Sequence, residues 1–268
     1  MQELTLRNAL KEKLDRGEVA SAMAVRLVTG NEIVTIATSA GFDSIYVDLE
    51  HSSFSIETAS RISLAALAEG LTCLVRVPDK APHSISRALD GGALGIIAPD
   101  VRTAEEAQAV VRAAKYAPEG RRGISAALPH FGFRSFPARE GFDLLNTATM
   151  VIVQCESDQA VANAGDIAAV EGVDMILVGT NDLLADKGLA GEFDHPYVRE
   201  AYEKVLAACR ARGKHSGIGG LTARPQLMAE LVKRGARYVS MGTDLGFLLE
   251  SARSRAEWVR DLQAHGHQ

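Results

Sequence analysis

"SIYVDLEHSSFSIETASRISLAALAEG", residues 44–70, decides the fold. Its first seven residues are rich in β-branched and aromatic types and alternate in character, the pattern of a short strand with two different faces. From Ser55 onward the apolar positions recur at helical spacing, and the pattern stops at Gly70, the residue type that ends helices. The stretch is therefore one strand followed by one helix. Working outward, the same unit recurs along nearly the whole chain. Strands are expected at residues 22–28, 44–50, 71–77, 94–98, 150–156, 173–179, 214–219 and 237–242, with helical patterns between them such as "TAEEAQAVVRAAKYA", "HPYVREAYEKVLAACRARG" and "ARPQLMAELVKRGA". Eight such pairs in a chain near the ~250 residues typical of the architecture predict a (β/α)8 TIM barrel rather than an open doubly wound sheet. Residues 117–149 interrupt the rhythm without clear periodicity, and a segment of that length reads as a lid, a binding loop or an oligomer contact. No linker or internal repeat divides residues 1–268, so one domain is expected.

Composition excludes several function classes. The chain has 268 residues, of which 47% are hydrophobic and 24% charged, enough apolar residues to bury a large core. A net charge of -5 and a single pair of adjacent arginines, Arg121 and Arg122, argue against a nucleic-acid partner, which requires clustered positive charge. The three cysteines, Cys73, Cys155 and Cys209, lie far apart with no CxxC spacing, which suggests neither a disulfide framework nor a zinc site and fits a reducing cytoplasm. The N-terminal residues alternate charged and apolar types, unlike a signal peptide, and no apolar run is long enough to cross a bilayer.

In a barrel of this kind chemistry sits at the C-terminal ends of the strands, so the strand tips are where to look. Strand 2 ends in Asp48, Glu50 and His51, strand 3 in Arg76, and strand 5 in Gln154 and Glu156, while strand 6 runs into "GTND" with Asn181 and Asp182. Alternation puts Asp48 and Glu50 on one face and Gln154 and Glu156 on one face, toward the barrel mouth. Glu156 and Asp182, on adjacent strands ~4.8 Å apart, can converge on one point. Their mutual repulsion calls for a cation, and an oxygen-only pair suits Mg²⁺ or Mn²⁺, with Co²⁺ also admissible. The plainer alternative is a salt-bridged or solvated pair of acids. Asp48, three residues before His51, is placed to accept the histidine's ring N–H and fix its tautomer; alternatively His51 simply opens the next helix, capped by Ser52, Ser53 or Ser55. Arg76, in an apolar strand, needs an anion, either a substrate carboxylate or enolate or a structural partner in Glu50.

"FDSIYVDLEHSSF", "LVRV", "APEGRRG", "VIVQCES" and "EGVDMILVGTNDL" together resemble, in order and spacing, the metal-dependent HpcH/HpaI aldolases, which include hydroxy-oxo-heptanedioate aldolase, and their relative macrophomate synthase. The resemblance runs from about residue 18 to 250 and is carried by the ordered set rather than by any single motif. It implies a barrel of the phosphoenolpyruvate/pyruvate type, assembled as a homohexamer, a trimer of dimers, with the last helix exchanged between neighbours. It implies a divalent metal on Glu156 and Asp182, pyruvyl oxygens on Arg76, a proton-handling dyad of Asp48 and His51, Glu50 and Gln154 behind them, and Gln154, Asn181 and Arg122 near the substrate. The chain departs from the pattern in three places. "GTND" stands where "GPAD" is usual, "LPHFGFRSF" looks closer to macrophomate synthase, and Arg26 at the first strand is unusual for the aldolase branch. That arginine either reads a second substrate carboxylate or snorkels at the strand edge, and snorkelling is the expectation.

The expected activity is cleavage or formation of 4-hydroxy-2-oxo acids through a pyruvate enolate, with pyruvate or oxaloacetate and an aldehyde as small-molecule partners and oxaloacetate decarboxylation as a side activity. No lysine falls at a strand tip, which disfavours a Schiff-base route. The competing readings are a decarboxylating, macrophomate-synthase-like C–C bond-forming enzyme, a citryl- or malyl-CoA-type lyase, a phosphosugar enzyme using the glycines of "GIGG" and "GTDLG", and a binding barrel without catalysis.

Overall fold

A computed structural model describes residues 4–265. Eight parallel strands, β1 (Ala20–Val25), β2 (Ser44–Asp48), β3 (Thr72–Arg76), β4 (Gly95–Ala98), β5 (Met150–Cys155), β6 (Met175–Gly179), β7 (His215–Gly219) and β8 (Tyr238–Thr243), close into a barrel in sequence order. Around and below it run α1 (Ala9–Asp15), α2 (Glu32–Ser39), α3 (Ile56–Glu69), α4 (Pro82–Asp90), α5 (Ala104–Ala114), α6 (Ala138–Ala148), α7 (Asp158–Ala162), α8 (Ala164–Ala168), α9 (Thr180–Asp186), α10 (Pro196–Ala211), α11 (Pro225–Arg234) and α12 (Asp244–His265). The (β/α)8 expectation holds, and α3 begins where its cap predicts, with Ser55 accepting from the Thr58 amide.

Strand alternation sorts the core into two. Outward residues such as Ile45, Val47, Val75, Val153 and Ile176 pack under the helices. Inward residues, among them Tyr46, Leu74, Ile97, Ile152, Leu177 and Tyr238, fill the barrel, and Leu10 and Leu14 of α1 plug its N-terminal end. The interior is thus mostly apolar between a polar floor that includes Ser44 and Thr72 and the mouth, where the side chains turn polar again.

Two strands end two or three residues earlier than the sequence pattern suggests, for the same reason. The amides of Arg26, Leu27 and Val28 bind the Asp244 carboxylate instead of a neighbouring strand, so β1 stops at Val25. The amides of Glu50 and His51 bind the Asp48 carboxylate, so β2 stops at Asp48. The segment 117–149 is more ordered than expected. It holds a short 3-10 turn, Pro129–Phe131, and the whole of α6, whose Leu145 packs with Tyr116, Leu128 and Phe131 in a satellite cluster away from the main core.

Candidate active site

The C-terminal mouth of the barrel opens into a cavity of about 490 Å³, with Tyr46 and Ser240, 3.3 Å apart, among its lining residues. Asp48 and Arg76 are register partners on β2 and β3. Their side chains therefore meet, with Arg76 Nε 2.9 Å from Asp48 Oδ1 and Nη2 2.7 Å from Oδ2. Arg26 Nε adds a contact of 2.5 Å to Oδ2. Burial pushes the Asp48 carboxyl up, but the Arg76 hydrogen bonds and the charges of Arg76 and Arg26 outweigh it and hold the group below the usual carboxylate range. Arg76 Nη1 lies 2.9 Å from Glu50 Oε2, so Arg76 is braced by two acids. Burial raises the Glu50 carboxyl despite Arg76 and His51.

This network corrects two expectations. The His51 ring does not rest on Asp48, whose oxygens are filled by two guanidinium groups and two amides, one of them that of His51 itself. The ring instead stands half-exposed (49%), with Nε2 3.7 Å from Glu50 Oε2, an ion-pair distance rather than a hydrogen bond. Arg26 does not snorkel outward but turns in against Asp48 and lines the cavity.

Across the mouth, Glu156 follows β5 and is almost fully buried. Its Oε1 accepts from the Asp100 amide at 2.6 Å and its Oε2 from Gln154 Nε2 at 2.6 Å. Burial, offset by the Asp100 amide and reinforced by the charges of Glu50 and Asp182, pushes its carboxyl up to about 7. Gln154, in contact with Glu156, lines the same cavity as Arg76 and Asp182. Asp182 and Asn181 stand exposed in the first turn of α9 and line the same cavity. Gly179 makes room for this arrangement, because a Cβ there would lie 2.6 Å from Glu156 Oε2 and 2.8 Å from Gln154 Nε2.

Gln154 Oε1 is buried with no hydrogen-bond partner among the described residues. Among the described residues no cluster of three or more His, Cys, Asp or Glu side chains could hold a metal. Two carboxylates and an unpartnered amide oxygen fit a hard divalent cation that takes its remaining ligands from water and substrate, and they fit a soft or tightly caged metal poorly. The threonine of "GTND" serves the fold: Thr180 Oγ1 donates to the Gly219 carbonyl at 2.6 Å and lies 2.8 Å from the Tyr202 hydroxyl, tying α9 to β7.

Arg122 is not at this mouth. Its Nη2 donates to Asp90 Oδ1 at 2.6 Å and its guanidinium stacks on Tyr116 at 4.7 Å. Asp90 ends α4, and helices of β/α units run antiparallel to their strands, so the buried Arg122 and its partly exposed partner lie at the N-terminal end of the barrel. Asp48, Glu50, His51, Arg76, Gln154, Glu156, Asn181 and Asp182 do converge. Sequence reading missed Tyr46 and Ser240, although Tyr46 is two residues before Asp48 and strand parity alone puts it on the same face. It also missed Arg224, on a loop where no periodicity signals a direction.

A family model described as HpcH/HpaI aldolase/citrate lyase matches residues 27–251. A 4-hydroxy-4-methyl-2-oxoglutarate aldolase of Hapsidospora irregularis is 39% identical over 96% of this chain and 96% of its own length. A solved HpcH/HpaI aldolase from Desulfitobacterium hafniense DCB-2 superposes with a TM-score of 0.90 at 31% identity, covering 96% of this chain and 98% of that one. The structure of a macrophomate synthase superposes with a TM-score of 0.78 at 27% identity, covering 94% and 89% respectively. The kinship read from the ordered strand-end motifs holds, and the chain belongs to the HpcH/HpaI aldolase/citrate lyase family of carbon–carbon lyases.

Proposed function

We propose that the protein cleaves, and in reverse forms, 4-hydroxy-2-oxo acids through the enolate of pyruvate, using Mg²⁺ or Mn²⁺ held by Glu156 and Asp182. This reading is carried by Arg76, Gln154 and Asp182 lining one cavity, with Glu156 hydrogen-bonded to Gln154, whose amide oxygen has no partner among the described residues. When bound, the cation supplies Lewis-acid polarisation of the oxo acid's oxygens. Arg76, locked in orientation by Asp48 and Glu50, brings fixed positive charge to the oxygen on which negative charge grows. A substrate oxygen reaches Arg76 Nη1 by displacing Glu50, whose raised pKa makes its carboxylate the more easily spared of the two acids. His51, half-exposed and close to Glu50, takes the proton from the C4 hydroxyl in cleavage and returns it in synthesis. Asn181, in the first turn of α9, orients the substrate from the side of Asp182. Oxaloacetate decarboxylation reaches the same enolate and is expected as a side activity.

A covalent amine route has no candidate among the described residues, none of whose lysines lines the mouth cavity. Chelation should abolish pyruvate release from a 4-hydroxy-2-oxo acid, and Mg²⁺ or Mn²⁺ should restore it, with no adduct trapped by borohydride. Full activity after exhaustive chelation would end this reading.

We further place residues 1–268 in one domain, working in a reducing cytoplasm where Cys73, Cys155 and Cys209 stay free, and in a homohexamer. Support for assembly comes from α12, which exposes Leu245, Leu248, Leu249, Trp258, Val259 and Leu262, an apolar surface that favours a protein partner. Arg122 and the 125–137 loop, remote from the mouth of their own chain, then act on a substrate only in a neighbouring copy.

A further inference from the structure

Asp100, just after β4, adopts a backbone conformation that side chains rarely take. Its φ is 47°, and among the described residues only Phe133 shares a positive φ without being glycine. Aspartate tolerates the left-handed region better than most residues, because its short polar group can bond locally. Here that bond is made, with Arg102 Nε donating to Asp100 Oδ1 at 2.7 Å. The backbone around it is pinned as well. Lys80 Nζ donates to the Asp100 carbonyl and, at 3.0 Å, to Glu106 Oε1, while Glu106 Oε2 accepts from the Arg102 amide at 2.6 Å. Asn163 Nδ2 holds the Arg102 carbonyl at 2.8 Å. This turn changes where two amides point. In an extended strand successive N–H groups face opposite neighbours. After β4 the Val101 amide donates to the Gln154 carbonyl at 3.1 Å and the Asp100 amide to Glu156 Oε1 at 2.6 Å, so both face the tip of β5. With Gln154 Nε2 on Oε2 at 2.6 Å, the Glu156 carboxylate is held at each oxygen.

We propose that Asp100 is a positioning residue: its left-handed backbone, not its carboxylate, aims an amide at Glu156 and fixes the orientation in which that side chain meets a divalent cation. The proposal rests on the metal-dependent reading above and adds to it the residue that sets the ligand's geometry. A residue held in a sparsely populated conformation by an over-determining network belongs where function needs the geometry. The Asp100 carboxylate is spent elsewhere, since it is 45% exposed and paired with Arg102. An exposed pair of this kind contributes little by itself. What the network secures is the direction of one N–H group.

Glycine reaches a positive φ freely and a β-branched side chain does not, so Asp100→Gly and Asp100→Val separate the backbone from the side chain. Mn²⁺ is titrated into the metal-free full-length protein, and the unbound ion is read by electron paramagnetic resonance. Asp100→Val should bind roughly 10- to 100-fold more weakly than wild type. Asp100→Gly, which also lacks the carboxylate, should bind as wild type does. Should Asp100→Val fail to fold by circular dichroism, Asp100→Ala must bind more weakly than Asp100→Gly. Affinity unchanged in the valine or alanine variant, even with a lowered melting temperature, overturns the proposal. So does a loss in Asp100→Gly as large as in Asp100→Val, which would assign the effect to the carboxylate. A wild-type protein that binds no Mn²⁺ sinks the metal-dependent reading itself, a result distinct from binding that ignores Asp100.

Discussion

Gly179 shows how much the site depends on a missing side chain. It ends β6 facing inward, and the space its Cβ would fill is taken by the Glu156 carboxylate and the Gln154 amide. Gly179→Ala should push Glu156 off its position and weaken the apparent affinity for Mn²⁺ about 10- to 100-fold, leaving the melting temperature of the metal-free protein within a few degrees of wild type. A metal titration followed by activity checks this, and an unaltered affinity would mean that Glu156 is not a ligand. At this scale the sequence was informative about identity and silent about partners. Asp48, Arg76 and Glu156 stood out because charge in an apolar strand is expensive. That Asp48 would be consumed by Arg76 and Arg26, leaving His51 to Glu50, depends on cross-strand register and on chain direction after β1, neither of which a single strand's pattern contains.

Among elements, the short 3-10 turn Pro129–Phe131 carries a second buried titratable group. His130 Nε2 lies 3.1 Å from the Ala93 carbonyl while Nδ1 has no hydrogen-bond partner among the described residues. Burial pushes its pKa down to about 4, the Arg122 charge adds to the fall, and the Ala93 carbonyl and Asp90 oppose it. The folded pKa lies below the ordinary value of 6.5, so between these limits the unfolded chain binds more protons than the native one. Stability therefore falls as pH drops through that window, by roughly 3 kcal/mol at ~1.4 kcal/mol per pKa unit. Urea unfolding of wild type and His130→Asn at pH 7 and pH 4 should show a smaller loss in the variant; parallel losses would contradict the account. The elements themselves were legible wherever they faced the main core, because α3, α5, α10 and α11 carry apolar stripes against the barrel. The helix α6 escaped notice because it packs on a small satellite cluster, and the true end of β1 escaped because it is set by Asp244, more than two hundred residues away.

For the whole molecule, the barrel was readable because eight units repeat one logic, apolar strand, polar tip, amphipathic helix, and only a closed parallel sheet brings all eight tips to one rim. What lies beyond one chain was not readable in the same way. The α12 face, with Trp258 61% exposed, predicts that light scattering finds a hexamer in solution and that Trp258→Arg with Leu262→Arg shifts it to smaller species; a wild-type monomer would remove the basis for placing the 125–137 loop at a neighbour's mouth. The central claim, however, belongs to one rim. Crystals grown with Mn²⁺ and oxalate, measured at the manganese absorption edge, test it most directly. One anomalous peak is expected about 2.0–2.2 Å from an oxygen of both Glu156 and Asp182; no peak there, with Glu156 keeping Asp100 and Gln154 as its only partners, would rule out a metal bound by these two acids.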